Sequence, residues 1–167
     1  MRKSGLIAAA GRSEMELVIR PMHKADLKRV MSLESNAFSD PWPLEAFREH
    51  INDPEAGALV AEREGEIVAY ACYQLENHKL HLTNLAVDPT LRRKSIAKQV
   101  LAHILDLARD RECELVYLEV RISNEAARCF YEASAFRTVD RWVRYYRSPV
   151  EDALIMMRWI NVAASDR

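Results

Sequence analysis

One stretch constrains this chain more than any other: Asn84 to Ala97, NLAVDPTLRRKSIA. An apolar run stops at Asp88-Pro89, a basic loop Arg92-Arg93-Lys94-Ser95 follows, and an apolar-periodic helix opens at Ile96. A strand, a cation-rich loop and a helix start, in that order, form an arrangement that holds a phosphate. The first-turn N–H groups of a helix have no partners inside it, and the macrodipole is positive at that end. The segment predicts a phosphorylated cofactor or substrate. Alone, it fits a nucleotide, a sugar phosphate or a phosphoprotein equally well.

The rest of the chain narrows the choice. At 167 residues the expectation is one domain. Its formal net charge of −1 makes the basic loop a local feature and argues against a nucleic-acid binder of the whole-protein electrostatic kind. No apolar run approaches membrane-spanning length. MRKSGLIAAA at the start has a faint signal-peptide look, but its apolar part breaks at Gly11-Arg12-Ser13, so residues 1–14 read as a loose extension. Cys72, Cys113 and Cys129 are odd in number and lack paired spacing, which argues against a disulfide framework or zinc site. All three read as small buried thiols in a reducing cytoplasm.

Periodicity predicts the elements. Met15 to Pro21 alternates as a strand, and Lys24 to Ala37 carries Leu27, Val30, Met31 and Leu33 at helical spacing. Ser39 to Pro43 is a turn, with Ser39 or Asp40 as a cap and Pro43 as the first residue of a helix running to Ile51. Strands at 57–61, 67–75 and 80–87 form a meander, with turns at 63–66 and 76–78. Ile96, Val100, Leu101, Ile104, Leu105 and Ala108 share one face of a helix over 96–112. Leu115 to Val120 reads as a central strand covered on both faces. A helix over 124–133 capped by Ser123 or Asn124, and strands at 137–146 and 153–160, complete an α+β sheet domain spanning 15–160 with a short tail, 161–167.

Several residues stand out as carriers of chemistry. Glu119 is a lone carboxylate inside that central strand, so it must be ion-paired, wetted by a cleft or shifted toward neutrality and fit for general-base work. Arg121 is the nearest candidate for a structural ion pair. Tyr131 shares a helix face with Asn124 and is either a proton donor in a cleft or a core residue beside Phe130 and Phe136. Of the adjacent Tyr145 and Tyr146, only one can face the core, leaving the other to line a site. Arg141, Arg144 and Arg147 make that hairpin basic, suited to an acidic polypeptide segment or simply to solvent. His81 is out of phase with Leu80 and Leu82 and reads as a surface or cleft histidine, since no ligand partner has metal spacing. Trp42 reads as a packing anchor or a site-lining residue.

Three pieces together, LAVDPTLRRKSIA, LEVRISNEAARCFYEASAF and RYYRSPVEDALIMM, resemble the Gcn5-related N-acetyltransferases, and within them the RimI-type ribosomal-protein-alanine N-acetyltransferases. The likeness spans about Met15 to Ile160. It implies that family's fold, a mixed and mostly antiparallel sheet with a central parallel strand pair flanked by helices. It implies acetyl-CoA as acetyl donor, no metal, and transfer to the N-terminal amine of a protein, an N-terminal alanine of a small-subunit ribosomal protein, in the cytoplasm. By the resemblance, Leu85, Ala86 and Val87 match the strand end that binds acetyl and pantetheine. Arg93, Lys94, Ser95, Ile96, Ala97 and Lys98 match the pyrophosphate loop, and Asn124 a polar contact to the cofactor. Glu119 matches the general base, Tyr131 the general acid, and Tyr145 and Tyr146 the peptide groove.

Two positions depart from the family pattern. Ser95 and Ala135 stand where glycine is usual. If either backbone needs a positive φ, a side chain there is strained, and at Ser95 the affinity for the donor falls. Two rival readings keep the fold: acetylation of a small-molecule amine, or a non-catalytic CoA-binding module that regulates a partner. The YY and EDA segments weigh against the first, and retained Glu119 and Tyr131 against the second. Neither a direct nucleic-acid partner nor a membrane is implied, and the oligomeric state is left open.

Overall fold

A computed structural model describes residues 16–160, so the expected extension 1–14, Met15 of the expected first strand and the tail 161–167 lie outside the described residues. Strand β1 (Val18–Pro21) is shorter than its alternating pattern. A 3-10 turn at Lys24–Asp26 leads into α1 (Leu27–Ala37). Helix α2 spans Leu44–Asn52. Its N-cap is Pro43, with no side-chain cap bond, so neither Ser39 nor Asp40 caps it and Pro43 sits one position earlier than expected.

The meander then forms through β2 (Ala56–Arg63), β3 (Glu66–Glu76) and β4 (Lys79–Val87). Its two connections are two-residue turns with both residues left-handed: Glu64-Gly65 at φ 54° and 80°, and Asn77-His78 at 45° and 61°. That geometry matches the twist of the strands it joins. Helix α3 (Ile96–Asp110) buries all six residues of its expected apolar face. Strand β5 (Leu115–Arg121), α4 (Glu125–Ala133), β6 (Arg137–Arg147) and β7 (Val150–Trp159) follow.

Seven strands form one sheet in the order β1-β2-β3-β4-β5-β7-β6. Every pairing is antiparallel except β4 with β5. This is the mixed sheet with a central parallel pair that the resemblance implies. Alternation along β3 divides the core: Ala69, Ala71 and Tyr73 pack with α3, while Tyr70 and Cys72 pack with Val30, Leu33 and Phe47 of α1 and α2. Among the described residues no helix is long and apolar enough to cross a membrane.

One irregularity opens the sheet at its centre. The parallel pairing covers Lys79↔Leu115, Leu80↔Val116 and His81↔Tyr117, then stops, although β4 continues to Val87 and β5 to Arg121. Against β3 the register moves from Tyr73↔Leu82 to Cys72↔Asn84, leaving Thr83 as an extra residue in β4. A bulge bends its strand, and this one lies just past the last paired residue. The Thr83 hydroxyl meets His50 Nε2 of α2 at 3.1 Å. Beyond it β4 and β5 diverge like the arms of a V.

Candidate active site

The V opens into a cavity of about 850 Å³. Its walls are β4 and β5, with the segment after α1 on one side and α4 and β6 on the other. Tyr117, Glu119 and Arg121 alternate onto the exposed side of β5, so this strand is not covered on both faces as its apolar run suggests.

Glu119 lines the cavity, and its partner is His81 rather than Arg121. His81 Nε2 lies 2.6 Å from Glu119 Oε2, with the two side chains 15% and 11% exposed. The imidazole stacks on the Tyr117 ring, centroids 4.3 Å apart and planes within 7°. The Tyr117 hydroxyl donates to Glu76 at 3.2 Å. Arg121 is drawn instead to the β6–β7 turn, where it donates to the Pro149 and Ser148 carbonyls and pairs with Glu151 at 3.3 Å.

Tyr131 reaches the same cavity from α4 and combines a core position with a place in the cavity lining. It is only 9% exposed, packed edge-on to Phe130 and Phe136, yet it lines the cavity. Burial pushes its phenol well above the ordinary value, so it stays protonated. Among the described residues its hydroxyl has no hydrogen-bond partner. Asn124 caps α4 by accepting from the Ala127 N–H at 3.1 Å and also lines the cavity.

Tyr145 and Tyr146 both line it, although strict strand alternation would turn them to opposite faces. The alternation fails because β6 bulges: Trp142 pairs with Ala153 and Tyr146 with Glu151, with Arg144 in the left-handed region at φ 54° between them. Burial raises both phenols, and the Glu119 charge adds to it.

Glu34 is the residue the sequence reading missed. It is 1% exposed and lines the cavity from α1. It accepts hydrogen bonds from the Tyr70 hydroxyl, from the Trp42 N–H at 2.7 Å and from Asn84 Nδ2 at 3.1 Å. Burial raises its carboxyl above the usual range, partly offset by Trp42 and Asn84. The signal was present: Leu27, Val30 and Glu34 fall at i, i+3 and i+7, so a carboxylate occupies a position of the buried stripe. Trp42 lines the cavity as well as packing on Phe47. Of the thiols, Cys72 and Cys113 are buried, but Cys129 is exposed because it lies on the outer side of α4.

Of Leu85, Ala86 and Val87 only Leu85 borders the cavity; the other two side chains are buried. The 93–98 loop lies outside the cavity wall. There Arg93 and Ser95 are left-handed, at φ 63° and 61°. Left-handed residues alternating with ordinary ones turn successive N–H groups toward one side, which suits an anion. Arg92, Arg93, Lys94 and Ser95 are exposed, and Ser95 makes no side-chain cap bond to α3. The loop therefore fits a phosphate group in charge, backbone geometry and access. Ser95 and Ala135 both hold the positive φ that glycine would take without strain. Among the described residues no cluster of His, Cys, Asp and Glu could hold a metal.

Residues 27–136 match the model of the acetyltransferase (GNAT) family. The chain is 28% identical over 145 residues to a putative ribosomal protein bS18-alanine N-acetyltransferase of Bacillus subtilis (strain 168), covering 86% of this chain and 95% of the relative. It is 32% identical over 148 residues to the N-alpha-acetyltransferase RimI of Mycobacterium tuberculosis, covering 85% and 92%. The crystal structure of the ribosomal-protein-S18-alanine N-acetyltransferase from Escherichia coli superposes with a TM-score of 0.82 at 28% identity, covering 91% of this chain and 99% of that one.

Proposed function

This chain belongs to the acetyltransferase (GNAT) family, and on that premise we propose that it moves the acetyl group of acetyl-CoA to the N-terminal amine of a protein. The acceptor is an N-terminal alanine of a small-subunit ribosomal protein, in the cytoplasm, the substrate class carried in the names of its relatives. Residues 15–160 act as one catalytic domain.

The observation that carries the reading is the joint presence of Glu119 and Tyr131 in one cavity, from different elements, where β4 and β5 part. A protein's α-amino group titrates near 7.7–8.0 and is mostly protonated at neutral pH, so it must lose a proton to attack. Glu119 is the base that draws the proton away, through water. Acetyl-CoA supplies the thioester carbonyl on which the amine's lone pair acts. A backbone N–H of Leu85–Val87, on the arm of β4 that β5 has left, faces the developing oxyanion. The Tyr131 hydroxyl, kept protonated by burial, donates toward the departing thiolate. Arg93 to Lys98 hold the pyrophosphate, and Asn124, whose Oδ1 is committed to its cap, offers its amide N–H to the same ligand. Tyr145 and Tyr146 border the peptide. The amine attacks directly, so no cysteine is acylated.

The test is release of free CoA from acetyl-CoA with an alanine-starting peptide, run beside other N-terminal peptides and a panel of small amines. Turnover confined to the small amines overturns the acceptor. A Glu119→Gln variant that binds acetyl-CoA normally but fails to turn over excludes the regulatory module.

A further inference from the structure

Resting on the reading of Glu119 as the base, we propose that the base is a carboxylate–imidazole pair, with His81 holding the proton that leaves the substrate amine. Both side chains line the cavity, and they share one short contact, His81 Nε2 to Glu119 Oε2 at 2.6 Å. The contact fixes the tautomer: with Nε2–H donating to the carboxylate, Nδ1 carries the lone pair. Nδ1 has no partner among the described residues. The stack on Tyr117 and the Tyr117–Glu76 hydrogen bond hold the ring's plane.

The chemistry favours the pair over a carboxylate alone. A free carboxyl titrates roughly 3–4 pH units below an α-amino group, an imidazole only about 1 to 1.5 below. Proton transfer from ammonium to carboxylate therefore runs against an equilibrium of more than a thousandfold. Transfer to imidazole faces roughly ten- to thirtyfold. In the step, one N–H bond of the ammonium breaks and its electron pair stays on the amine nitrogen. One N–H bond forms at Nδ1. The resulting imidazolium remains hydrogen-bonded to the ionised Glu119.

The groups that share His81's surroundings are Glu119 and Tyr117 of β5, and Glu76 of β3 through the Tyr117 hydroxyl. Gln74, its cross-strand neighbour on β3, does not titrate. Glu34, Asp40, Arg121, Tyr131, Tyr145, Tyr146 and Arg147 line the same cavity. His50 of α2 bonds to Thr83 two residues along β4.

The experiment is steady-state kinetics on an alanine-starting peptide from pH 5.5 to 9.5 for the wild type, His81→Gln and Glu119→Gln. Glutamine keeps an N–H for Glu119 but holds no proton. His81→Gln is expected to lose about 100-fold or more in kcat, the lower end of what a general base contributes. KM for both substrates should stay within about threefold, and the acid limb of kcat should lose its imidazole midpoint. Wild-type kcat and an unchanged pH profile in His81→Gln, with Glu119→Gln inactive, overturns the pair and leaves Glu119 as a lone base. Wild-type turnover in Glu119→Gln overturns the base reading itself.

Discussion

The Arg121 guanidinium lies over the ring of Tyr146, 4.1 Å from its centroid. The same side chain donates to the carbonyls of Ser148 and Pro149. One residue at the end of β5 thus fixes both a wall of the cavity and the turn above it. The Ser39 hydroxyl also approaches the Ser148 carbonyl, at 3.5 Å, from the segment after α1.

If Tyr145 and Tyr146 border the peptide, Arg121→Gln should loosen the peptide side of the site and leave the donor side alone. A cation–π contact contributes about 0.5–2 kcal/mol, and a hydrogen bond from a charged donor about 1.5–3 kcal/mol. Losing part of these is expected to raise KM for the peptide roughly 5- to 30-fold, the factor for about 1–2 kcal/mol. KM for acetyl-CoA should hold steady. Parallel increases in both constants would sink the assignment.

Ala135 offers a stability test. The Phe136 N–H donates to the Tyr131 carbonyl at 2.9 Å and the Ala135 N–H to Glu132 at 3.0 Å, with Ala135 left-handed at φ 64°. This is the Schellman end of a helix, which favours glycine at that residue. Ala135→Gly should add about 1 kcal/mol, or roughly 2–4 °C in Tm. Ser95→Gly relieves the same strain within the 93–98 segment and, if that segment holds the pyrophosphate, should tighten acetyl-CoA binding, read by calorimetry. An unchanged or lower Tm for Ala135→Gly counts against the strain argument.

How much of this was legible in the sequence follows from the range of each rule. The meander and α3 are set by local patterning and two-residue turns, and they appear as expected. The position of β7 between β5 and β6 is a long-range pairing that no local pattern encodes. The bulges at Thr83 and before Tyr146 break period-two counting, so the opening of the V and the shared orientation of Tyr145 and Tyr146 are invisible until the register is known. His81 and Glu119 meet because Tyr117 sits opposite His81 in the parallel pair, setting Glu119 diagonally ahead. Glu34 is different. Its position in the α1 stripe was readable, but only the Tyr70, Trp42 and Asn84 donors explain how the core tolerates it.

Glu34 predicts a pH dependence of stability. Its carboxyl is raised in the folded protein, chiefly by burial. The folded state then binds its proton more tightly than the unfolded chain does. The stability that proton contributes is complete below the unfolded value near 4.5 and is lost as pH rises through the higher folded value. The difference in Tm between wild type and Glu34→Gln should accordingly shift against the wild type as pH climbs from 4.5. A difference that stays flat across that range contradicts the raised carboxyl. Glu34→Ala, by contrast, strips partners from the Tyr70 hydroxyl and the Trp42 N–H and should cost about 1–3 kcal/mol for each group left unpaired.

Tyr131→Phe separates the two readings of this side chain, core residue and proton donor. The ring is held by Phe130 and Phe136, at centroid distances of 5.1 and 5.5 Å, and phenylalanine keeps both contacts. Removing a hydroxyl without a partner among the described residues leaves no buried donor unmatched, so Tm should move by little. If the hydroxyl donates to the departing thiolate, kcat should fall about 100-fold or more, as for loss of a general acid. KM for acetyl-CoA should change little, because the phosphate loop and the β4 arm are untouched. A variant with normal kcat and normal Tm would reduce Tyr131 to a core residue that borders the cavity, and thiolate release would then depend on solvent.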